Sequence, residues 1–402
     1  MAKVGVLSYS QEKDRCGQQK CNSLFSLPKA TIGFQRIISD ASKLHEVRYV
    51  DITDTWADFW LASVVSWYDI YNLIRAIGTT KPHARLVVGG PGMLNPWPLQ
   101  DVIWAAVIGR GEGLINRVMD HDLSVCNAWY SDIPDRIITI GQATDQICSV
   151  RETEASIGCP KKCFFCEYGW KYNYKNWSGQ YSEYANGETF FRDIDFGKGS
   201  ATAGLDGITE NERYVVNKAL SSQEIVNTLA RHTIRDNFRL KLFCVTSYPF
   251  TSGYNFDEWE SVLDQAARVV KKPITIMLSL SHFCPMPFTP MEEERVLFFD
   301  RIQQAPKMAG KIKWMTYLQG TTVASAAYES MIFRALPSDN IRGLILGNKP
   351  CGDTANEIGN IFPHVIDGGY IPVPLISRPY DVAAGKRIYR SRVLEKYGEK
   401  AI

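Results

Sequence analysis

Apolar and polar positions along the first third of the chain alternate between short apolar runs and segments with helical spacing. The apolar runs predict strands at residues 4–8, 46–52, 59–65, 85–88 and 103–108. Apolar residues on one helical face predict helices at 31–43 and 67–77, the second ending at Gly78. Strands that alternate with helices favour a parallel sheet covered on both faces, so we predict a doubly wound α/β domain over residues 1–145.

Two glycine-rich turns follow the fourth and fifth predicted strands. They are Gly89-Gly90-Pro91-Gly92 and Gly109-Arg110-Gly111-Glu112-Gly113. Ligands of open parallel sheets bind beyond the carboxyl ends of the strands, and glycine lets the backbone approach a ligand closely. Neither turn follows the first strand, so neither matches the dinucleotide fingerprint.

The second part of the chain carries further strand-like runs. They are predicted at residues 149–157, 189–196, 240–249 and 274–278, and a polar segment at 204–213 separates the second from the third. Thr209 and Glu212 have the spacing of a helix-capping box. Residues 343–347 are predicted to form a strand. Residues 386–400 have helical spacing and are interpreted as a lid or a substrate-contacting extension.

Composition indicates an ordinary globular protein. Apolar residues make up 45% of the 402-residue chain and charged residues 22%, with a net charge of +2 that does not favour nucleic acid as a partner. No apolar run has the length of a membrane span. The amino terminus enters a strand without a secretory signal, so we expect a cytoplasmic protein whose cysteines are thiols.

Three of the ten cysteines lie close together, as Cys159, Cys163 and Cys166 in the spacing C-x3-C-x2-C. Soft thiolates favour iron–sulfur clusters or zinc, and a structural zinc site normally has four ligands. Cys16 or Cys21 is a further candidate ligand. Lysines and aromatic residues alternate from Lys161 to Trp177. They either contact an extended nucleotide or pack over the cysteine loop, and we favour packing.

The cysteine loop, with Gly-Cys-Pro before it and Phe-Phe-Cys at its end, resembles that of the radical S-adenosylmethionine (SAM) superfamily. The resemblance implies a [4Fe–4S] cluster held by Cys159, Cys163 and Cys166, with SAM on the free iron. It implies that Phe165 packs near the adenine of SAM. Segment 204–213 resembles a family segment that ends a middle strand, which implies SAM-binding roles for Asp206, Thr209 and Glu210.

The amino-terminal third resembles the cobalamin-binding, Rossmann-like domain that precedes many radical SAM domains. The resemblance lies in the two glycine turns and their order. The loop after the first strand lacks the Asp-x-His-x-x-Gly motif that supplies histidine to cobalt. Two interpretations therefore stay open: a domain that binds cobalamin, or a relic fold that shapes the active site or a partner surface.

These resemblances imply three parts: the Rossmann-like domain at 1–145, a partial (β/α)6 TIM-like radical SAM barrel at 146–330, and a carboxyl-terminal extension at 331–402. The predicted function is reductive cleavage of SAM to functionalise an unactivated C–H bond, with cobalamin-dependent methylation as one form of that reaction. The alternatives are radical rearrangement or modification of a nucleotide or nucleic-acid base without cobalamin, and a zinc-stabilised protein without catalysis. An electron donor such as flavodoxin or ferredoxin is the expected partner.

Overall fold

A six-stranded sheet organises the first part of the chain. The computed structural model describes residues 1–7, 32–50, 52–78, 81–147, 154, 156–177, 191–233, 236–297, 306–318, 323–337, 339–347, 358, 360–368, 376–377 and 382–401. The strands are β1 (Lys3–Leu7), β2 (Glu46–Val50), β3 (Phe59–Ser63), β4 (Arg85–Gly89), β5 (Ala105–Val107) and β6 (Ala128–Tyr130). Their order is β2-β1-β3-β4-β5-β6, and all pairs are parallel except β5 with β6.

Both faces of this sheet are buried, which explains the nearly continuous apolar runs of its strands. Leu86 and Val88 belong to one hydrophobic cluster, and Val87 between them belongs to another. The helices of this part are α1 (Ile32–Ser42), α2 (Trp67–Ile77) and α3 (Ile115–Met119). The prediction for α2 is confirmed at both ends because Ser66 and Asp69 form a capping box and Gly78 ends the helix with φ of 66°.

A five-stranded sheet organises the second part. Its strands are β10 (Ser200–Gly204), β11 (Phe238–Thr246), β12 (Ile274–His282), β13 (Lys307–Ala309) and β14 (Ile312–Leu318). The order is β10-β11-β12-β14-β13, parallel except for the β13–β14 pair. The intervening helices are α5 (Glu210–Val215), α6 (Ser222–Ala230) and α7 (Phe256–Val269). The sheet therefore presents the carboxyl ends of four parallel strands at one edge.

Smaller elements complete the described chain. Two-residue strands form the parallel pair β7 (Ile138–Thr139) with β15 (Ile376–Ser377) and the antiparallel pair β8 (Ser156–Ile157) with β9 (Lys175–Asn176). The remaining helices are α4 (Glu167–Lys171), α8 (Val323–Arg334), α9 (Ile341–Gly347), α10 (Pro363–Asp367) and α11 (Val382–Tyr397). Short 3-10 turns lie at Trp97–Leu99, Phe191–Asp193 and Glu399–Ala401.

Helix α8 crosses the predicted boundary at residue 330 and packs on the amino-terminal sheet domain. The Asn95 side-chain amide donates to the carbonyl oxygens of Ile332, Phe333 and Ala335 at 3.1, 3.3 and 3.1 Å. Tyr328 stacks on Trp67 of α2, with ring centroids 6.2 Å apart. No helix in the described ranges is both long and apolar enough to cross a membrane.

Three predicted strands differ from the structure. In the predicted strand at 189–196, the first two residues lie outside the described ranges, and Phe191–Asp193 is a 3-10 turn whose Phe191 packs into the second core. The predicted strand at 343–347 is helix α9, because the Asn340 side chain accepts the Gly343 N–H at 2.8 Å and starts the helix. Of the predicted strand at 149–157, the part that is described and forms a strand, β8, pairs with β9 and not with the five-stranded sheet.

Candidate functional site

The three predicted cluster cysteines lie on one loop between β8 and α4. Gly158 begins the loop with φ of 70°, a conformation that glycine adopts without strain. Cys159 and Cys163 are buried, and Cys166 is the residue that precedes the first turn of α4. The three cysteines therefore share a single short loop.

The loop is held by hydrogen bonds to its backbone. The Phe164 N–H donates to the Val216 carbonyl at 2.9 Å. The Asn217 side-chain amide donates to the carbonyls of Lys161 and Lys162, each at 3.0 Å. The Trp170 indole N–H donates to the Cys163 carbonyl at 3.0 Å. Backbone groups that are fixed in this way keep the loop in one conformation.

Helix α11 supports the loop from behind. The Arg392 guanidinium donates to the Asn217 side-chain oxygen at 3.0 Å and to the Tyr214 carbonyl at 2.8 Å. The same guanidinium lies 5.4 Å from the centroid of the Phe164 ring, within cation–π range. The helical spacing predicted at 386–400 is confirmed for α11, and the helix contacts the structure beneath the cysteines.

The loop lies beside residues that follow the carboxyl ends of β10, β11 and β12. Asp206 follows β10 in the left-handed region with φ of 51°, and its carboxylate pairs with the Lys218 ammonium at 2.6 Å. The Tyr248 hydroxyl, after β11, donates to the Asp206 carbonyl at 3.3 Å. The Tyr248 ring lies 6.2 Å from Phe165 and 5.6 Å from Phe283, which follows β12.

A buried polar pair at the same edge has no role in the sequence predictions. Ser247 has φ of 59°, and its hydroxyl lies 2.9 Å from Nδ1 of His282. Non-glycine residues in the left-handed region are uncommon and cluster at functional sites, and here Asp206 and Ser247 follow adjacent strands. His282 ends the observed strand β12, beyond the predicted strand at 274–278, so the sequence prediction did not place it at the edge of the sheet where ligands of parallel sheets bind.

Thr209 and Glu210 occupy the start of α5. The Thr209 hydroxyl accepts the Glu212 N–H at 3.1 Å, so the predicted capping box is present. The Glu210 carboxylate accepts the Ser222 N–H at 2.7 Å on the protein surface. Of the three residues given SAM-binding roles by resemblance, Asp206 is the one whose charge acts on the pKa of Cys163: after the effect of burial, the Lys218 ammonium lowers that pKa and the Asp206 carboxylate raises it.

Burial dominates the titration of Cys163 and Cys166. It raises the pKa of Cys163 to about 12, against an opposing effect of the Lys218 ammonium. Burial also raises the pKa of Cys166 well above its usual value, and the Glu167 carboxylate adds to that effect. A metal bound here has to displace the thiol protons, because the thiolate is the ligand.

The donor set fits an iron–sulfur cluster in its chemistry. Three soft sulfur donors lie on one ordered loop, and the six described cysteines are all free thiols. Cys159, Cys163 and Cys166 all lie within the described ranges, but their thiols do not converge there into a group that could hold a metal ion, and neither do any other three His, Cys, Asp or Glu side chains of those ranges. Cys16 and Cys21, either of which the sequence offers as a further ligand, lie outside the described ranges.

The lysine and aromatic pattern at 161–177 is turned inward at its centre and is partly or fully exposed elsewhere. Trp170, Lys171 and Tyr172 are buried, and the Lys171 ammonium donates to the Pro91 carbonyl at 2.7 Å. The contact joins α4 to the first glycine turn. These three side chains are unavailable to an extended nucleotide in this conformation. They pack inside the protein, as the alternative to nucleotide contact expects.

The glycine turns are shaped by the protein's own backbone. A side-chain carbon on Gly90 would lie 2.4 Å from the Val64 carbonyl, and one on Gly92 would lie 2.5 Å from the Ser66 nitrogen. At the second turn, one on Gly109 would lie 2.6 Å from the Gly141 carbonyl. These three glycines are therefore required by the packing of the chain on itself, whereas a side-chain carbon on Gly113 of the second turn would meet nothing within 4 Å. The loop after β1, where a cobalt-binding histidine is absent from the sequence, lies outside the described ranges.

Comparisons with known proteins give a weak structural likeness. No family model matches the chain, and no curated protein matches it. It is similar to the cobalamin-dependent S-adenosylmethionine radical enzyme OxsB with aqua-cobalamin and SAM bound, at 11% identity and a TM-score of 0.25, covering 70% of this chain and 44% of that one. It is also similar to the apo, selenomethionine-labelled OxsB, at 11% identity and a TM-score of 0.26. That match covers 100% of this chain and 61% of the OxsB chain. The chain thus spans less than two thirds of these proteins, and likeness at this TM-score does not establish a shared fold.

Proposed function

We propose that this chain is a radical SAM enzyme that uses a [4Fe–4S] cluster to cleave SAM reductively and to functionalise an unactivated C–H bond. The observation that carries the proposal is the C-x3-C-x2-C loop, fixed by hydrogen bonds beside the carboxyl edge of a parallel sheet. Cys159, Cys163 and Cys166 would hold the cluster. When bound, the cluster supplies one electron for breaking the bond between the SAM sulfonium and its 5′ carbon.

The residues around the loop have roles that follow from their contacts. The Asp206–Lys218 pair offers a carboxylate and an ammonium beside Cys163, and these groups can orient the amino-acid end of SAM. Phe165 lies against Tyr248 and offers an apolar surface to an adenine. Buried aromatic residues around the loop, including Phe164, Trp170 and Phe283, exclude water from it.

The outcome of the reaction separates the remaining proposals. Methyl donation would point to cobalamin-dependent methylation, and hydrogen abstraction would point to the cobalamin-free chemistry. We assign no residue of this chain to cobalamin, because the sequence after the first strand lacks the Asp-x-His-x-x-Gly motif that supplies histidine to cobalt. A flavodoxin- or ferredoxin-type protein is the proposed electron donor.

The test is anaerobic reconstitution with iron and sulfide, followed by SAM and dithionite. We expect about four iron and four sulfide per chain, and then 5′-deoxyadenosine for hydrogen abstraction or S-adenosylhomocysteine for methyl donation. Cys163→Ser should lose the cluster. Cys126→Ser, at an exposed thiol, should retain it. Zinc without iron or sulfide, in anaerobically purified protein, would support the zinc-stabilised alternative and overturn the proposal.

A further inference from the structure

A cavity of about 470 Å³ opens between the start of α5, the loop that follows β11 and the end of α11. Its walls include Glu212, Glu258, Phe250 and Tyr397, and Arg295 and Lys400 also line it. A volume of this size suits a small organic molecule rather than a single ion. Thr209, one of the three residues given SAM-binding roles by resemblance, also lines the cavity, whereas Cys159, Cys163, Cys166, Phe165, Asp206 and Lys218 do not.

Glu212 presents an unused hydrogen-bond acceptor to this cavity. The residue is 4% exposed. Its Oε2 atom accepts the backbone N–H groups of Ile208 and Thr209 at 2.6 and 3.0 Å. Its Oε1 atom receives no hydrogen bond from any residue that the structure describes, and it is not among the fully buried unpaired atoms of those residues. Because Glu212 lines the cavity, this oxygen can accept a hydrogen bond from a ligand there.

A second carboxylate lies beside the first. One oxygen of Glu258 accepts the Glu210 N–H at 2.6 Å, and its other oxygen has no partner within the described ranges. The Glu258 charge adds to burial in raising the pKa of Glu212. Two neighbouring carboxylates are stabilised by a cation that donates hydrogen bonds to both.

The other groups of the cavity are aromatic and cationic. The rings of Phe250 and Tyr397 lie 5.0 Å apart and offer an apolar surface with negative ring faces. Arg295 uses one nitrogen to donate to the Pro249 carbonyl at 3.2 Å, which leaves further N–H donors. Arg295 and Lys400 are exposed, and they can pair with an anionic group.

We propose that this cavity is a second binding site, for a small ligand of the amino-acid class that carries an ammonium and a carboxylate. The ammonium is bound by Glu212 and Glu258, and the carboxylate is bound by Arg295 and Lys400. A divalent cation fits less well, because the described residues bring no third metal-binding side chain to the two carboxylates.

Aromatic side chains separate the cavity from the cysteine loop. Phe250 stacks on Tyr248 with ring centroids 5.3 Å apart, and Tyr248 in turn contacts Phe165 at 6.2 Å. A ligand site in this cavity therefore goes beyond the proposed function and does not depend on it.

The first experiment measures binding by calorimetry to the full chain without a carboxyl-terminal tag. The probes are 4-aminobutanoate, 6-aminohexanoate and 8-aminooctanoate, with hexylamine and hexanoate as singly charged references. We expect at least one of the three zwitterions to bind about ten-fold more tightly than either reference. Equal or weaker binding of all three zwitterions overturns the proposal.

The second experiment assigns the two ends of the ligand. Glu212→Gln keeps an oxygen for the Ile208 and Thr209 N–H groups, and it should weaken binding of the zwitterion and hexylamine about ten-fold. Glu258→Gln should also weaken binding of the zwitterion and of hexylamine. It replaces Glu212→Gln as the test variant if Glu212→Gln does not fold. The matched control Glu260→Gln lies on the same helix as Glu258, outside the cavity lining, and should change nothing.

Lys400→Gln should weaken zwitterion binding and leave hexylamine binding unchanged, and Lys396→Gln on α11 is its control. A control that weakens binding as much as its matched variant contradicts the assignment.

Saturating SAM should leave the probe affinity unchanged, and displacement of the probe by SAM refutes a separate site. Loss of this binding leaves the proposed function intact, because cluster content and SAM cleavage are measured separately.

Discussion

Asn217 holds the cysteine loop, and replacing it by glycine tests whether that support matters. Asn217 has φ of 62°, so Asn217→Gly removes the side chain without forcing a residue with a side chain into the left-handed region. It deletes the bonds to the carbonyls of Lys161 and Lys162 and the bond from Arg392. Each is worth about 0.5–1.5 kcal/mol. Because these bonds are partly exposed, we expect a local loss of about 1.5–2.5 kcal/mol.

Hydrogen–deuterium exchange measures that loss where it occurs. The amides of Phe164 and Cys166 are hydrogen-bonded in the loop. A loss of this size corresponds to about 10- to 70-fold faster exchange of the peptide that contains them. Peptides from the centre of β11 should exchange as in the unaltered protein.

Asn237→Gly is the matched control. Asn237 has φ of 60°, is exposed, and its side chain makes no hydrogen bond to a described residue. It should leave exchange of the loop unchanged. Equal exchange of the loop in Asn217→Gly and in the unaltered protein would refute the claim that Asn217 fixes the loop.

Three further predictions concern other parts of the molecule. Lys218→Met leaves the Asp206 carboxylate without its 2.6 Å partner and should lower the free energy of unfolding by about 1–2 kcal/mol, measured by thermal unfolding. The control Lys307→Met removes one partner of an exposed pair with Glu260 and should lower it by at most about 0.5 kcal/mol. Gly92→Ala, with backbone 2.5 Å away, should lower the melting temperature, and Gly253→Ala, with nothing within 4 Å, should not; equal effects would contradict the packing role of Gly92. Burial raises the pKa of Glu329 from 4.5 to about 7, so its contribution to stability is present below pH 4.5 and is lost as the pH rises to about 7. Glu329→Gln should therefore gain stability relative to the unaltered protein over that range, by up to about 3 kcal/mol in denaturant titrations, and a pH-independent difference would contradict this.

Local sequence determined those elements whose signals lie within a few residues. Ser66, Asp69 and Gly78 fix both ends of α2, and the apolar runs fix β3 and β4. The cysteine spacing likewise sets three thiols on one loop. These features follow from backbone hydrogen bonding and side-chain periodicity, which act over one or two turns of chain.

The tertiary structure decided the features that depend on distant residues. The segment 189–196 is predicted as a strand, but Phe191–Asp193 forms a 3-10 turn whose Phe191 packs into the second core. The Ser247–His282 pair joins adjacent strands, and the cavity beside Glu212 needs Tyr397 and Lys400 from the end of the chain. Such contacts arise only when separate segments pack together. The free energy of that packing exceeds the intrinsic preference of single residues for helix or strand.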